Sequence, residues 1–299
     1  MKKKIIIFSS FTFVVIIMVI TKNKQKKLFG AEWENEAIFQ INRQEARSHF
    51  FSFETEELAL AGDPTRSKFI QSLSGTWKFH FSPNPRNTIE NFEKNQFSVE
   101  KWNNIEVPGH WELQGWSKPV YLNIDYPFIA NPPFVSQKNN CVGSYVRMFE
   151  LDENWLDKDV FIKFDGVRSA FYLWVNGEFV GYSQGSKTPA EFDITDKVFV
   201  GKNKVAVQVF RFSDGSYLEG QDTWRLSGIE RDVYVYAVPK VRVADFFLKA
   251  KLYNNYRNGV IDLNVSLINL ERFAGNFSLN AKLFRNEQKL LSIEELTSI

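Results

Sequence analysis

The sequence predicts an all-β fold, a sandwich or jelly roll assembled from short strands. Three observations carry that prediction. Aromatic residues make up 16% of the 299 positions, with 29 Phe, 10 Tyr and 8 Trp, and strands favour aromatic and β-branched side chains. The run Gly75-Thr76-Trp77-Lys78-Phe79-His80-Phe81 alternates aromatic and polar residues with the period of two that a half-buried strand requires. Helical periodicity sustained over about ten residues or more is nearly absent, which argues against an α/β fold.

From the start of the chain, Ile5 to Ile20 is an apolar run preceded by Lys2, Lys3 and Lys4 and softened by Ser9, Ser10 and Thr12. A basic head and an apolar stretch form a secretory signal, so residues 1–30 are expected to direct export to the periplasm or cell surface. No small-residue cleavage site follows, only Thr21-Lys22-Asn23-Lys24, and an uncleaved signal anchor holding residues 5–20 in the membrane is the competing expectation. Residues 32–67 are polar and irregular, with a short helical stretch expected at 42–48, and form an arm over the main domain. Strands are then expected at 144–151, 160–164, 170–175, 178–182, 204–210 and 232–238. Asn176-Gly177 joins two of these runs, and Asn-Gly supplies the two positive-φ residues of a type I′ hairpin turn.

Pro239 marks the expected boundary, giving a main domain over 31–238 and a second one over 239–299. Strands at 241–253, 260–268 and 276–284 continue the β pattern, but an immunoglobulin-like sandwich needs about 100 residues. The second domain is therefore expected to be incomplete, ending at Glu294–Ile299 without closing strands.

Composition excludes several function classes. The formal charge of +2 rests on seven lysines in the first 27 residues; without them 30 basic residues face 35 acidic ones, and nothing points to a nucleic-acid partner. The single cysteine, Cys141, rules out an intrachain disulfide and a cysteine-based metal site. No P-loop, dinucleotide fingerprint, zinc helix or serine elbow is present. His49, His80 and His110 are isolated from one another, so a metal site or triad built on them is not expected.

Carboxylates cluster in Ser213-Asp214-Gly215-Ser216-Tyr217-Leu218-Glu219-Gly220-Gln221-Asp222, directly after the strand expected at 204–210. Such a loop can accept hydrogen bonds from sugar hydroxyls or hold a cation, but spacing alone favours a turn-capping role for Asp214. Trp111, Trp116 and Trp224 could stack on sugar faces, against the commoner reading that they are buried in the sandwich.

A wider series decides more. Val107-Pro108-Gly109-His110-Trp111-Glu112-Leu113-Gln114-Gly115, Tyr121-Leu122-Asn123-Ile124-Asp125-Tyr126-Pro127, Asn131-Pro132-Pro133-Phe134, Phe164-Asp165-Gly166-Val167, Trp174-Val175-Asn176-Gly177, Glu191-Phe192-Asp193-Ile194-Thr195, the Asp214 loop and Trp224-Arg225-Leu226-Ser227-Gly228-Ile229-Glu230-Arg231-Asp232-Val233 occur in this order. Together they resemble the amino-terminal region of β-galactosidases of glycoside hydrolase family two. The resemblance covers about Glu32 to Val238 and, weakly, the remainder.

It implies a jelly-roll (galactose-binding-like) sugar-binding domain, then a partial immunoglobulin-like sandwich, then a catalytic barrel absent from this chain. The family is retaining, with a Glu pair about 5 Å apart acting as acid/base and nucleophile. Both glutamates belong to the barrel, so no catalytic residue is expected here and the chain alone is expected to be inactive. The resemblance carries over two substrate-binding residues: Asn123, whose amide would reach the galactosyl group, and Asp214, which would contact substrate and help hold a sodium ion. It further implies a β-galactoside substrate, a homo-oligomer at full length and magnesium in the absent catalytic part, with no organic cofactor. A non-catalytic carbohydrate-binding or assembly module is the alternative.

Overall fold

The computed structural model describes residues 32–269, 276–285 and 288–298. The export or anchor segment expected within 1–30 lies outside the described residues, among which no helix is long and apolar enough to cross a membrane. In chain order the strands are β1 (Gln40–Ile41), β2 (Ile70–Ser72), β3 (Gly75–Ser82), β4 (Asn103–Val107), β5 (Val120–Leu122), β6 (Val142–Leu151), β7 (Asp159–Phe164), β8 (Val167–Arg168), β9 (Ala170–Val175) and β10 (Glu178–Ser183). They continue as β11 (Ala190–Asp193), β12 (Gly201–Phe210), β13 (Thr223–Arg225), β14 (Gly228–Ile229), β15 (Val233–Val238), β16 (Val241–Tyr253), β17 (Asn258–Asn269), β18 (Asn276–Arg285) and β19 (Gln288–Ser298). The expected all-β architecture is the one the chain adopts.

The chain forms two compact units. The first takes residues up to Gln44, Gln71–Asp152 and Phe161–Val235; the second takes Glu45–Ile70, Glu153–Val160 and the chain from Tyr236 on. A seven-stranded sheet runs in the order β1-β10-β9-β12-β6-β3-β4, and a four-stranded sheet in the order β11-β7-β15-β2. Phe171 of β9 meets Phe164 of β7 and Phe192 of β11, with ring centroids 5.1 and 6.0 Å apart, so aromatic rings close the space between the sheets. Trp77, Phe79 and Tyr145 extend the same core: Tyr145 lies 6.4 Å from Trp77 and 4.7 Å from Phe79, and all three are buried. Alternation in β3 explains their placement, because Trp77 and Phe79 face inward while Lys78 and His80 are only half-buried.

The second unit is built mainly of two antiparallel hairpins, β16–β17 and β18–β19. Arg242 donates to Asp159 at 2.5 Å, and Asp245 accepts the Ser48 N–H at 2.9 Å. Two expectations fail here. The last residues do form a strand, β19, paired along its length with β18, because Leu, Ile and Thr in Gln288–Ser298 suit the ladder. Residues 42–48 form no helix, since Arg43 bridges to Phe192 and Gln44 donates to the carbonyl of Glu191 at 2.8 Å. The one α-helix described, α1 (Glu56–Ala61), is capped by the Thr55 hydroxyl and by Gly62 in the left-handed conformation.

The hairpin expected at Asn176-Gly177 is present, with φ of 52° and 83°. The Asn176 side chain does more than turn. Its amide donates to the Lys197 carbonyl and to Asn203 Oδ1, both at 2.8 Å, and its oxygen accepts the Lys204 N–H at 2.9 Å. Replacing Asn176→Gly keeps the positive φ but removes these bonds, and should cost about 2–3 kcal/mol in a denaturant unfolding experiment. An unchanged midpoint would show that Asn176 serves only the turn.

Candidate functional site

Loops at the ends of the first unit's strands bring Asn123 to Asp222, at the far end of the segment that Asp214 opens, while Asn123 is not among the residues around the depression that holds Asp214. Strand β13 pairs with β5, placing Thr223 opposite Leu122 and Trp224 opposite Tyr121. The register carries Asp222 to Asn123, whose carbonyl accepts the Asp222 N–H at 2.7 Å. Tyr121 donates its hydroxyl to the Asp222 carboxylate at 2.5 Å, a second tie between the loops. Asn123 itself is exposed, and its side-chain amide has no hydrogen-bond partner among the described residues. That leaves both a donor and an acceptor for a ligand.

Asp214 opens a short helical turn, Asp214–Tyr217. The turn is closed by its serines: Ser216 Oγ accepts the Ser213 N–H at 3.0 Å, and Ser213 Oγ lies 2.5 Å from Ser169 Oγ. The capping role weighed for Asp214 thus falls to serines on either side. The Asp214 carboxylate accepts instead from Gln184 Nε2 at 2.7 Å, and the same amide group lies 2.7 Å from the Tyr182 hydroxyl. Gln184 is buried at the end of β10, so it holds Asp214 from below as a rigid support.

Burial pushes the Asp214 carboxyl above its ordinary range, Gln184 and local backbone N–H groups oppose that, and the charge of Glu36 adds to it. Glu34 is likewise raised, first by burial and last by the charge of Asp214. Glu36, Phe39, Tyr126, Pro132, Gln184, Asp214 and Tyr217 are among the residues around an open depression of about 620 Å³. Its aromatic wall is braced: the Tyr126 and Tyr217 rings are 5.0 Å apart, and Tyr217 donates its hydroxyl to the Phe134 carbonyl at 2.6 Å. Acidic oxygens beside aromatic rings suit a polyhydroxylated ligand with apolar C–H faces.

The three tryptophans divide. Trp111 is wholly buried and Trp116 half-buried against Phe79 and Phe81, whereas Trp224 is 53% exposed and packs on Tyr121, itself 50% exposed. Trp224 and Tyr121 therefore form an aromatic ridge next to Asn123. Gln184 and Tyr121 were missed by the sequence reading; only their motifs, Gly181-Tyr182-Ser183-Gln184 and Tyr121-Leu122-Asn123, could have flagged them. Among the described residues no group of three or more His, Cys, Asp or Glu is placed to hold a metal ion. A carboxylate such as that of Asp214 is a hard oxygen ligand, and by itself it is not a cation site.

The raised Asp214 titration has a definite sign. A carboxyl whose folded value lies above its unfolded value favours folding below the carboxylate range, and that advantage is lost as pH rises through the folded value. Asp214→Asn should therefore raise the thermal midpoint relative to the parent chain near pH 7, with the difference vanishing as pH falls through the carboxylate range. Thermal unfolding at a series of pH values checks this, and a variant less stable at pH 7 would contradict it.

The model of the glycosyl hydrolases family 2 sugar binding domain matches residues 70–239. A β-galactosidase of Priestia megaterium (strain DSM 319 / IMG 1521) is 49% identical over 243 residues, covering 80% of this chain and 24% of that protein. A β-galactosidase of Clostridium acetobutylicum is 45% identical over 242 residues, covering 79% of this chain and 27% of that protein. The chain thus spans about a quarter of the length of these relatives. The crystal structure of a Bacteroides uniformis β-glucuronidase superposes with a TM-score of 0.62 at 20% identity, covering 77% of this chain and 26% of that one, a likeness of fold. With more than half of its residues matched by the family model and its strands arranged as in a solved relative, the chain belongs to glycosyl hydrolases family 2 and carries that family's sugar binding domain.

Proposed function

We propose that the chain is the amino-terminal part of a β-galactosidase, and that Asn123 and Asp214 contact the galactosyl group of a β-galactoside. The observation that carries this is the support beneath Asp214: a buried amide fixes a carboxylate whose ionised form is disfavoured by burial. Groups held at a cost to folding mark sites of function. The names of the relatives, β-galactosidases at 49% and 45% identity, favour the same reading. The charge of the depression supports a neutral sugar, since Glu36, Asp214 and Glu219 at its margin would repel a uronate.

In this reading the bond-breaking carboxylates lie in a part of the protein outside these residues. Two carboxyl groups about 5 Å apart there would give a retaining reaction, one as acid/base and one as nucleophile. This chain's residues bind and orient the sugar. Asp214 would also give one oxygen to a sodium ion whose remaining ligands come from elsewhere. Export of the protein, directed or anchored by residues 5–20, and homo-oligomer formation at full length complete the proposal.

The test is kinetic, on the longer protein that contains this chain. Asp214→Ala and Asn123→Ala should each lower kcat/KM for a chromogenic β-galactoside roughly tenfold to a hundredfold, the effect of losing a buried or charged hydrogen bond to the ligand. Activity of both variants within twofold of the parent would refute the assignment.

A further inference from the structure

Three buried arginines, Arg168, Arg211 and Arg225, line one small cavity beside the 213–225 segment. None is more than 8% exposed. The cavity holds about 10 Å³, room for one water-sized particle. A guanidinium cannot shed its proton inside a protein, so burial is costly unless an anion or strong acceptors compensate it.

Compensation is incomplete. Arg211 has Glu112 Oε1 at 3.6 Å from its Nε and donates to Ser117 Oγ and the Lys118 carbonyl at 3.0 and 2.9 Å. Arg168 and Arg225 have no carboxylate within the 4.0 Å of an ion pair, among the described residues. Among the described residues Arg168 reaches the carbonyls of Trp224 and Glu219, both at 3.3 Å. Arg225 reaches those of Glu219 and Asp125, at 3.4 and 3.5 Å. These bonds are long, and two positive groups converge on one carbonyl. The carboxylate of Glu219 is engaged by the Ser186 N–H and hydroxyl at 3.0 and 2.5 Å. The Nε atoms of Arg211 and Arg225 are buried with no hydrogen-bond partner among the described residues. Burial, and next the charge of Arg168, lower the Arg225 titration, the mark of a cation short of negative charge.

The loop is shaped around this charge. A Cβ on Gly220 would fall 1.3 Å from Arg225 Nη1, so with any larger residue there the guanidinium would have to shift from its present place.

We propose that this cavity binds a halide ion, held by the guanidiniums of Arg168, Arg211 and Arg225. A monatomic anion fits a space of one water, needs no fixed orientation and tolerates the apolar wall supplied by Phe212 and Leu226. A phosphate or sulfate is too large. The ion would steady the segment that carries Asp214 and Glu219, because both converging arginines grip the Glu219 carbonyl.

The test is thermal unfolding of the full chain in sodium chloride, sodium bromide and sodium isethionate at equal ionic strength, so that sodium and screening are constant. Chloride and bromide should raise Tm by about 2–4 °C over the bulky isethionate. Arg225→Gln should abolish the difference. Crystals grown in bromide should show an anomalous peak in the cavity, a readout that needs no variant. Equal Tm in all three salts, a halide response retained by Arg225→Gln, or bromide crystals without that peak would overturn the proposal.

Discussion

The contact of Phe171 with Phe164 and Phe192 holds two sheets face to face, and the placement of the loops follows from it. Inward-facing aromatics on β3, β6 and β9 set the spacing between the sheets, since a packed interior tolerates little change in volume. Strand ends are fixed in turn. The end of β12 presents the Asp214 turn and the end of β10 presents Gln184 beneath it. The pairing of β13 with β5 ties Asn123 to Asp222, further along the segment that Asp214 opens.

Electrostatics adds a second layer to the same segment. Carboxylates of Glu36, Asp214 and Glu219 surround the open depression, while guanidiniums of Arg168, Arg211 and Arg225 surround the small cavity, and Glu219 borders both. Its backbone carbonyl faces the arginines and its carboxylate is held by Ser186. A loop clamped at such a residue can hold Asp214 still without a long stretch of regular structure.

Much of this was legible in the sequence because it is local. Period-two alternation exposed β3, and Asn176-Gly177 announced its hairpin through the positive φ that those residues accept at low cost. The ordered motifs identified the family and singled out Asn123 and Asp214. What escaped depends on contacts between distant residues. Gln184 is thirty positions from Asp214, and nothing in its neighbours says which carboxylate it meets. Trp224 resembled Trp111 in sequence, yet its short strand leaves it exposed while Trp111 is enclosed by Phe79 and Phe81. Spacing alone allowed Asp214 to cap its own turn, because aspartate suits that position, and only geometry shows Ser213 and Ser216 closing it.

The most direct measurement is a crystal structure of the longer protein with a bound galactoside. The account predicts the Asn123 amide and the Asp214 carboxylate within hydrogen-bonding distance of the galactosyl hydroxyls, with Gln184 still donating to Asp214. A galactosyl group bound productively with neither residue in reach would contradict it.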